Sequence, residues 1–96
     1  MTNALSLVDK NTGQRYRLRQ PTTTIGRAPD NDIVLNDPTV SGYHAMVQFE
    51  NAGFILYDQN SSNGTFFDGH RVSGPYKLLP GKIVRLGDSE FEVTTA

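Results

Sequence analysis

His44-Ala45-Met46-Val47-Gln48-Phe49-Glu50-Asn51-Ala52-Gly53-Phe54-Ile55-Leu56-Tyr57 is the stretch on which the fold turns. From His44 the side chains alternate through Val47, Gln48, Phe49 and Glu50 with the period of two that belongs to a strand with one buried face. Asn51-Ala52-Gly53 supplies turn chemistry, and residues 54–57 return as the partner strand of a hairpin. No helical pattern competes: nowhere do apolar residues recur at i, i+3, i+4 and i+7 over two turns.

The same reading extends in both directions. Downstream, residues 58–63 are entirely polar and Thr65-Phe66-Phe67 is a short strand. Asp68-Gly69 is a type I′ signal that folds this strand onto His70-Arg71-Val72. Ser73-Gly74-Pro75 breaks the chain, residues 76–79 resume it, and Pro80-Gly81 turns it again. Residues 82–86 and 90–94 form a last hairpin about Gly87-Asp88-Ser89. Upstream, residues 22–25 are a β-branched strand running into Gly26-Arg27, and Ile33-Val34-Leu35 is a short strand closed by Asn36-Asp37-Pro38. At the start, residues 5–8 and the alternating residues 14–20 make a hairpin about Asn11-Thr12-Gly13, ended by Pro21. Its Arg15, Arg17 and Arg19 read as a solvated face, because no second basic strand supports a nucleic-acid stripe.

Nine glycines and five prolines punctuate the 96 residues between short strand-like runs, which predicts an all-β sandwich or barrel with loops gathered at the sheet ends. One domain spanning residues 1–96 is expected, since a chain this short supports one core. Leu, Ile, Val and Phe number 24, enough to fold alone. The absence of cysteine excludes a disulfide scaffold and thiolate zinc sites, leaving only His44 and His70 as imidazole ligands, so no metal is expected. A net charge of −1 gives no global field toward nucleic acid or membrane. No apolar run is long enough to span a bilayer, and Met1-Thr2-Asn3-Ala4 lacks signal-peptide character. A cytoplasmic (intracellular) protein, or an excised piece of one, is expected.

The stretch Pro38-Thr39-Val40-Ser41-Gly42-Tyr43-His44 carries serine, glycine and histidine at close spacing between strands, residue types that suit polar recognition. Ile25-Gly26-Arg27 before it and Ser61-Ser62-Asn63-Gly64 after it are candidates to meet it around an anion. A guanidinium such as that of Arg27 presents donors in a flat fork that matches phosphate. Ser41 offers a hydroxyl, and Gly42 lets the backbone approach closely. His44 reads as a neutral imidazole that bonds neighbouring backbone and fixes the loops, more readily than as a catalytic base.

In this order and spacing these residues, with residues 58–69 and the ending Leu79-Pro80-Gly81-Lys82-Ile83-Val84-Arg85-Leu86-Gly87, resemble a forkhead-associated (FHA) domain over nearly the whole chain. The resemblance implies an FHA-like β-sandwich of about eleven short, mainly antiparallel strands. Its loops at one end would bind phosphothreonine in a partner protein or peptide, without catalysis and without cofactor. A Ser/Thr protein kinase or its substrate is the implied partner, and a monomer the implied state. By position, Arg27 and Ser41 would contact the phosphate, with Gly42 through its N–H and Ser62 through its hydroxyl. Asn63 would hold the peptide main chain, while Gly26, His44 and Gly64 would shape the loops. Gly42 stands where members often carry a polar or basic residue, so the resemblance implies no side-chain phosphate contact at that position. Two other functions compete with this reading: a phosphate-independent interaction or dimerisation domain on the same fold, and a hydrolase with Ser41 as nucleophile, His44 as base and Asp37 or Asp58 orienting.

Overall fold

The computed structural model describes residues 4–72 and 74–95. The expectations resting on Met1, Thr2, Asn3 and Ser73 lie outside the described residues. Eleven strands are present among the described residues: β1 (Leu5–Asp9), β2 (Arg15–Arg17), β3 (Thr22–Gly26), β4 (Ile33–Val34), β5 (Ala45–Glu50), β6 (Gly53–Asp58), β7 (Thr65–Phe67), β8 (His70–Arg71), β9 (Tyr76–Lys77), β10 (Ile83–Leu86) and β11 (Ser89–Thr95). They form a six-stranded sheet in the order β2-β1-β11-β10-β7-β8 and a five-stranded sheet in the order β4-β3-β5-β6-β9. The pairings are antiparallel except for β3 with β4.

The β5–β6 hairpin closes with Glu50 opposite Gly53, so its turn is Asn51-Ala52 alone, one residue shorter than expected. Both turn residues have positive φ, 53° and 62°, the combination a type I′ turn demands. Gly53 therefore belongs to the strand. Alternation then buries Val47 and Leu56 fully, with Ile25 of β3 beside them, and the other sheet contributes Val84, Leu86 and Val93. Phe54, Phe67 and Phe91 fill the space between the layers. Each such side chain stabilises the fold by about 1.5–3 kcal/mol relative to exposure. Phe67 of one sheet stacks on Tyr76 of the other, with ring centroids 3.9 Å apart.

Several strands are shorter than the alternation suggests. β2 stops at Arg17: Leu18 still donates to the Leu5 carbonyl, but the Arg19 N–H turns to the Thr23 hydroxyl, 2.7 Å away, and the ladder ends. Arg15 and Arg17 are exposed, in keeping with a solvated face, and Arg19 pairs with Asp32. Leu35 leaves β4 but is buried and donates to the Gly26 carbonyl.

The registers decide where the loops lie. Ile25 faces Ala45, Ala45 faces Asp58, and Leu86 faces Thr65. The ends of β3, β6 and β10 and the starts of β5, β7 and β11 thus point the same way. The loops over residues 27–32, 35–44, 59–64 and 87–88 gather at that end.

Candidate functional site

The loop end is built by side chains bonding the backbone of neighbouring loops. His44, at the start of the β5 segment, is fully buried. Its Nδ1 accepts from the Ser41 N–H at 3.0 Å and its Nε2 donates to the Gly64 carbonyl at 2.9 Å. This pattern fixes a neutral imidazole protonated at Nε2. Burial pushes its pKa below the usual histidine value, opposed by the bond to the Gly64 carbonyl and by the charge of Asp58. His44 therefore staples residues 38–44 to residues 61–64.

Ser41 carries the next link. Its Oγ accepts from the Ser62 N–H at 3.0 Å, and its carbonyl accepts from the Arg27 N–H at 3.0 Å. The Arg27 Nε donates to the Val40 carbonyl at 3.0 Å, which orients the guanidinium, and its two Nη groups make no hydrogen bond among the described residues. No carboxylate pairs with Arg27 among the described residues. Asn63 donates from Nδ2 to the Thr39 carbonyl at 2.8 Å, keeping Oδ1 available as an acceptor at the surface. The Ser62 side chain is exposed beside it.

The three loop glycines differ in their reasons. A Cβ on Gly26 would lie 2.2 Å from the Gly42 carbonyl oxygen, so no side chain fits. Gly64 has φ +88°, and a Cβ there would press on Arg71 at 3.0 Å. Gly42 is unlike both: a Cβ would meet only that of Ala28, at 4.0 Å. Packing therefore does not demand glycine at position 42: a side chain has room and the backbone is not left-handed.

The site also rests on Asn31, which the sequence did not single out, and on Asp58 and Asp37, which it raised only as orienting acids of a hydrolase. Asn31 is buried and donates from Nδ2 to the carbonyls of Ala28 and Gly42, at 2.9 and 2.8 Å, which ties the Arg27 loop to the Ser41 loop. Asp58 accepts from the hydroxyls of Ser61 (2.6 Å) and Thr65 (2.7 Å) and from the Ser61 N–H. Burial alone would raise its pKa, but these bonds outweigh burial and hold it below the ordinary carboxylate value. Asp37 accepts from Ser89 and Thr39, and the Thr39 hydroxyl accepts in turn from the Asp88 N–H. A signal for Asp58 did exist, the spacing Asp58-x-x-Ser61 of an Asx-type turn; for Asn31, one polar residue between two aspartates, there was none. Of the neighbouring loop residues, Val40 and Ser61 are buried, Thr39 is half-buried and Asn60 is exposed.

The same bonds dismantle the hydrolase arrangement. Both His44 nitrogens are engaged by backbone groups, the Ser41 hydroxyl is not among their partners, and Asp37 and Asp58 bond to hydroxyls and amides instead.

A two-layer sandwich with polar loops cross-linked around an unpaired arginine at one end defines the class of protein: a β-sandwich that presents a polar loop surface. The chain belongs to the FHA domain family, whose model matches residues 23–87. It is 43% identical over 77 residues to the glycogen accumulation regulator GarA of Mycolicibacterium smegmatis, covering 80% of this chain and 48% of GarA. Its fold superposes on Mycobacterium tuberculosis EmbR in complex with a low-affinity phosphopeptide with a TM-score of 0.91 and 33% identity, covering 97% of this chain and 24% of that one. A domain from a structural and functional analysis of phosphothreonine-dependent FHA domain interactions gives a TM-score of 0.90 and 32% identity, with 97% of each chain covered. The chain thus spans about half of GarA and about a quarter of that EmbR chain.

Proposed function

We propose that this chain is a phosphothreonine-dependent protein-binding module that recognises phosphorylated partners without catalysing a reaction. The observation that carries the reading is Arg27. Its guanidinium is oriented by the Val40 carbonyl, carries no internal counter-charge, and stands beside Ser41 and Ser62 on cross-linked loops. Such a site is pre-organised for a group with about −1.5 to −2 charges and three acceptor oxygens. In this reading Arg27, Ser41, Ser62 and the Gly42 N–H hold the phosphate, and the Oδ1 of Asn63 accepts from the peptide main chain. Gly26, His44 and Gly64 shape the loops. Residues 1–96 act as one binding unit inside the cell, and the ligand is a segment of a Ser/Thr protein kinase or of its substrate. The phosphopeptide in the EmbR complex and the phosphothreonine dependence studied for the other FHA domain support this class of ligand.

Isothermal titration with a phosphothreonine peptide and its unphosphorylated twin tests the reading. The phosphopeptide alone should bind, and Arg27→Ala should weaken binding by about 1.5–3 kcal/mol while leaving the fold intact. Phosphoserine should bind about fourfold less well than phosphothreonine, through the one missing methyl. Equal binding of both twins would instead indicate a phosphate-independent interaction domain.

A further inference from the structure

We infer that Arg71 forms a second anion contact, which makes the module select phosphothreonine segments flanked by a further negative group. This rests on the reading of the loop end given above. Phe66 lies between the buried residues Thr65 and Phe67, so its ring faces outward. Directly opposed residues of antiparallel strands share a face, so its partners Arg71 on β8 and Arg85 on β10 face outward with it. Arg85 is committed: its guanidinium lies 4.0 Å above the Phe66 ring and donates to the Gly87 carbonyl at 2.8 Å.

Arg71 is placed differently. Its guanidinium lies against Gly64, where an added Cβ would come within 3.0 Å of both Cζ and Nε. Gly64 directly follows Asn63, the residue assigned to the peptide main chain, and its carbonyl is the one His44 holds. The side chain of Arg71 is exposed and has no ion pair or hydrogen bond among the described residues. Arg17 shares that lack of partners, but it lies on the edge strand β2 away from these loops. Hence an uncommitted fork of donors rests on the loop across which a bound peptide would pass. It suits a carboxylate or a second phosphate, both of which accept two parallel N–H bonds.

The experiment is a titration of wild type and Arg71→Gln against three peptide types built on one phosphothreonine sequence. One has neutral flanks, one set carries glutamate at each flanking position in turn, and one set carries a second phosphothreonine there. Wild type should favour at least one glutamate position by about fivefold over the neutral peptide. It should favour a second phosphate there by more, because that group carries nearly twice the charge. The preference should shrink between 50 and 500 mM salt, in buffers chosen for this purpose. Arg71→Gln should abolish the preference and leave the neutral peptide within about twofold of wild type, since an exposed charge pair is all that is removed. Preference for carboxylate or only for phosphate tells the two sources apart. A preference that survives in Arg71→Gln, an equal loss for all peptides, or wild type that ranks neutral and acidic peptides alike would overturn the inference. Failure of every phosphopeptide to bind wild type would instead bring down the underlying reading, and this one with it.

Discussion

The two ends of the β5–β6 hairpin are held together by different physics. At the far end, the turn Asn51-Ala52 is shaped by local backbone conformation, and its side chains are exposed. At the loop end, His44 is buried and reaches residues 20 positions away, while Gly26 is squeezed against the carbonyl of Gly42. The far end is therefore a matter of which φ each residue tolerates. The near end is a matter of what space and which hydrogen bonds its neighbours leave. The proposed site sits on the second kind of construction, because only loops tied to one another can hold several donors in fixed register.

The largest expected effect is at Gly26. Gly26→Ala drives a methyl toward an oxygen 2.2 Å away and should cost at least about 3 kcal/mol, or abolish folding, as read by chemical denaturation. Tolerance within about 0.5 kcal/mol would mean that the two loops are not locked together.

His44 comes next. Removal of its ring leaves the Ser41 N–H without a partner and the Gly64 carbonyl with only the Gly87 N–H, at 3.2 Å, and opens a cavity, so His44→Ala should destabilise the domain by about 2–4 kcal/mol. The sign of the pH dependence follows from burial. The folded pKa lies below the ordinary 6.5, so the unfolded chain binds the proton more tightly. The contribution of His44 is full above that value and declines as the pH falls from it toward the depressed folded pKa. Asp58 and Asp37, with pKa values lowered from 3.8, begin to matter only in more acid solution. Denaturation at pH 7 and pH 5.5 should show a loss of stability that is diminished in His44→Gln; an unchanged loss in that variant would move its cause elsewhere.

Gly42 sharpens the contrast within the loop end, because it has the space that Gly26 lacks. Gly42→Arg should leave stability within about 0.5 kcal/mol. It should tighten phosphopeptide binding about tenfold through an added charge-assisted contact. Unchanged affinity in a folded variant would show that the open space does not face the phosphate.

The smallest effect belongs to the far end. Alanine at φ +62° carries a steric cost that glycine avoids. Ala52→Gly should therefore stabilise the protein by about 1 kcal/mol in thermal or chemical unfolding, without changing ligand binding. Destabilisation would count against the local account of that turn.

Much of this architecture was legible before any coordinates. The alternation in residues 44–57 and the turn at Asp68-Gly69, with φ of 47° and 86°, are local properties, and local properties are written in adjacent residues. Strand lengths were less legible, because Arg19 leaves its ladder for a hydroxyl four residues on, a choice no periodicity encodes. Among the candidate residues, the order of Arg27, Ser41, His44 and Asn63 carried the family resemblance. The supports did not stand out: Asn31 looks like any polar loop residue until its burial is known, and Val40 and Ser61 look like surface until theirs is.

By itself, then, the sequence determined an all-β chain with turns at stated places and a set of polar residues in the order of an FHA domain. The tertiary structure alone decided that residues far apart in the chain share one end. It decided that Gly26 is obligatory while Gly42 is not, and that Arg71 rests on the loop of Asn63. The reason is that turns depend on φ and ψ of neighbours, whereas close approach and burial depend on registers between strands distant in sequence.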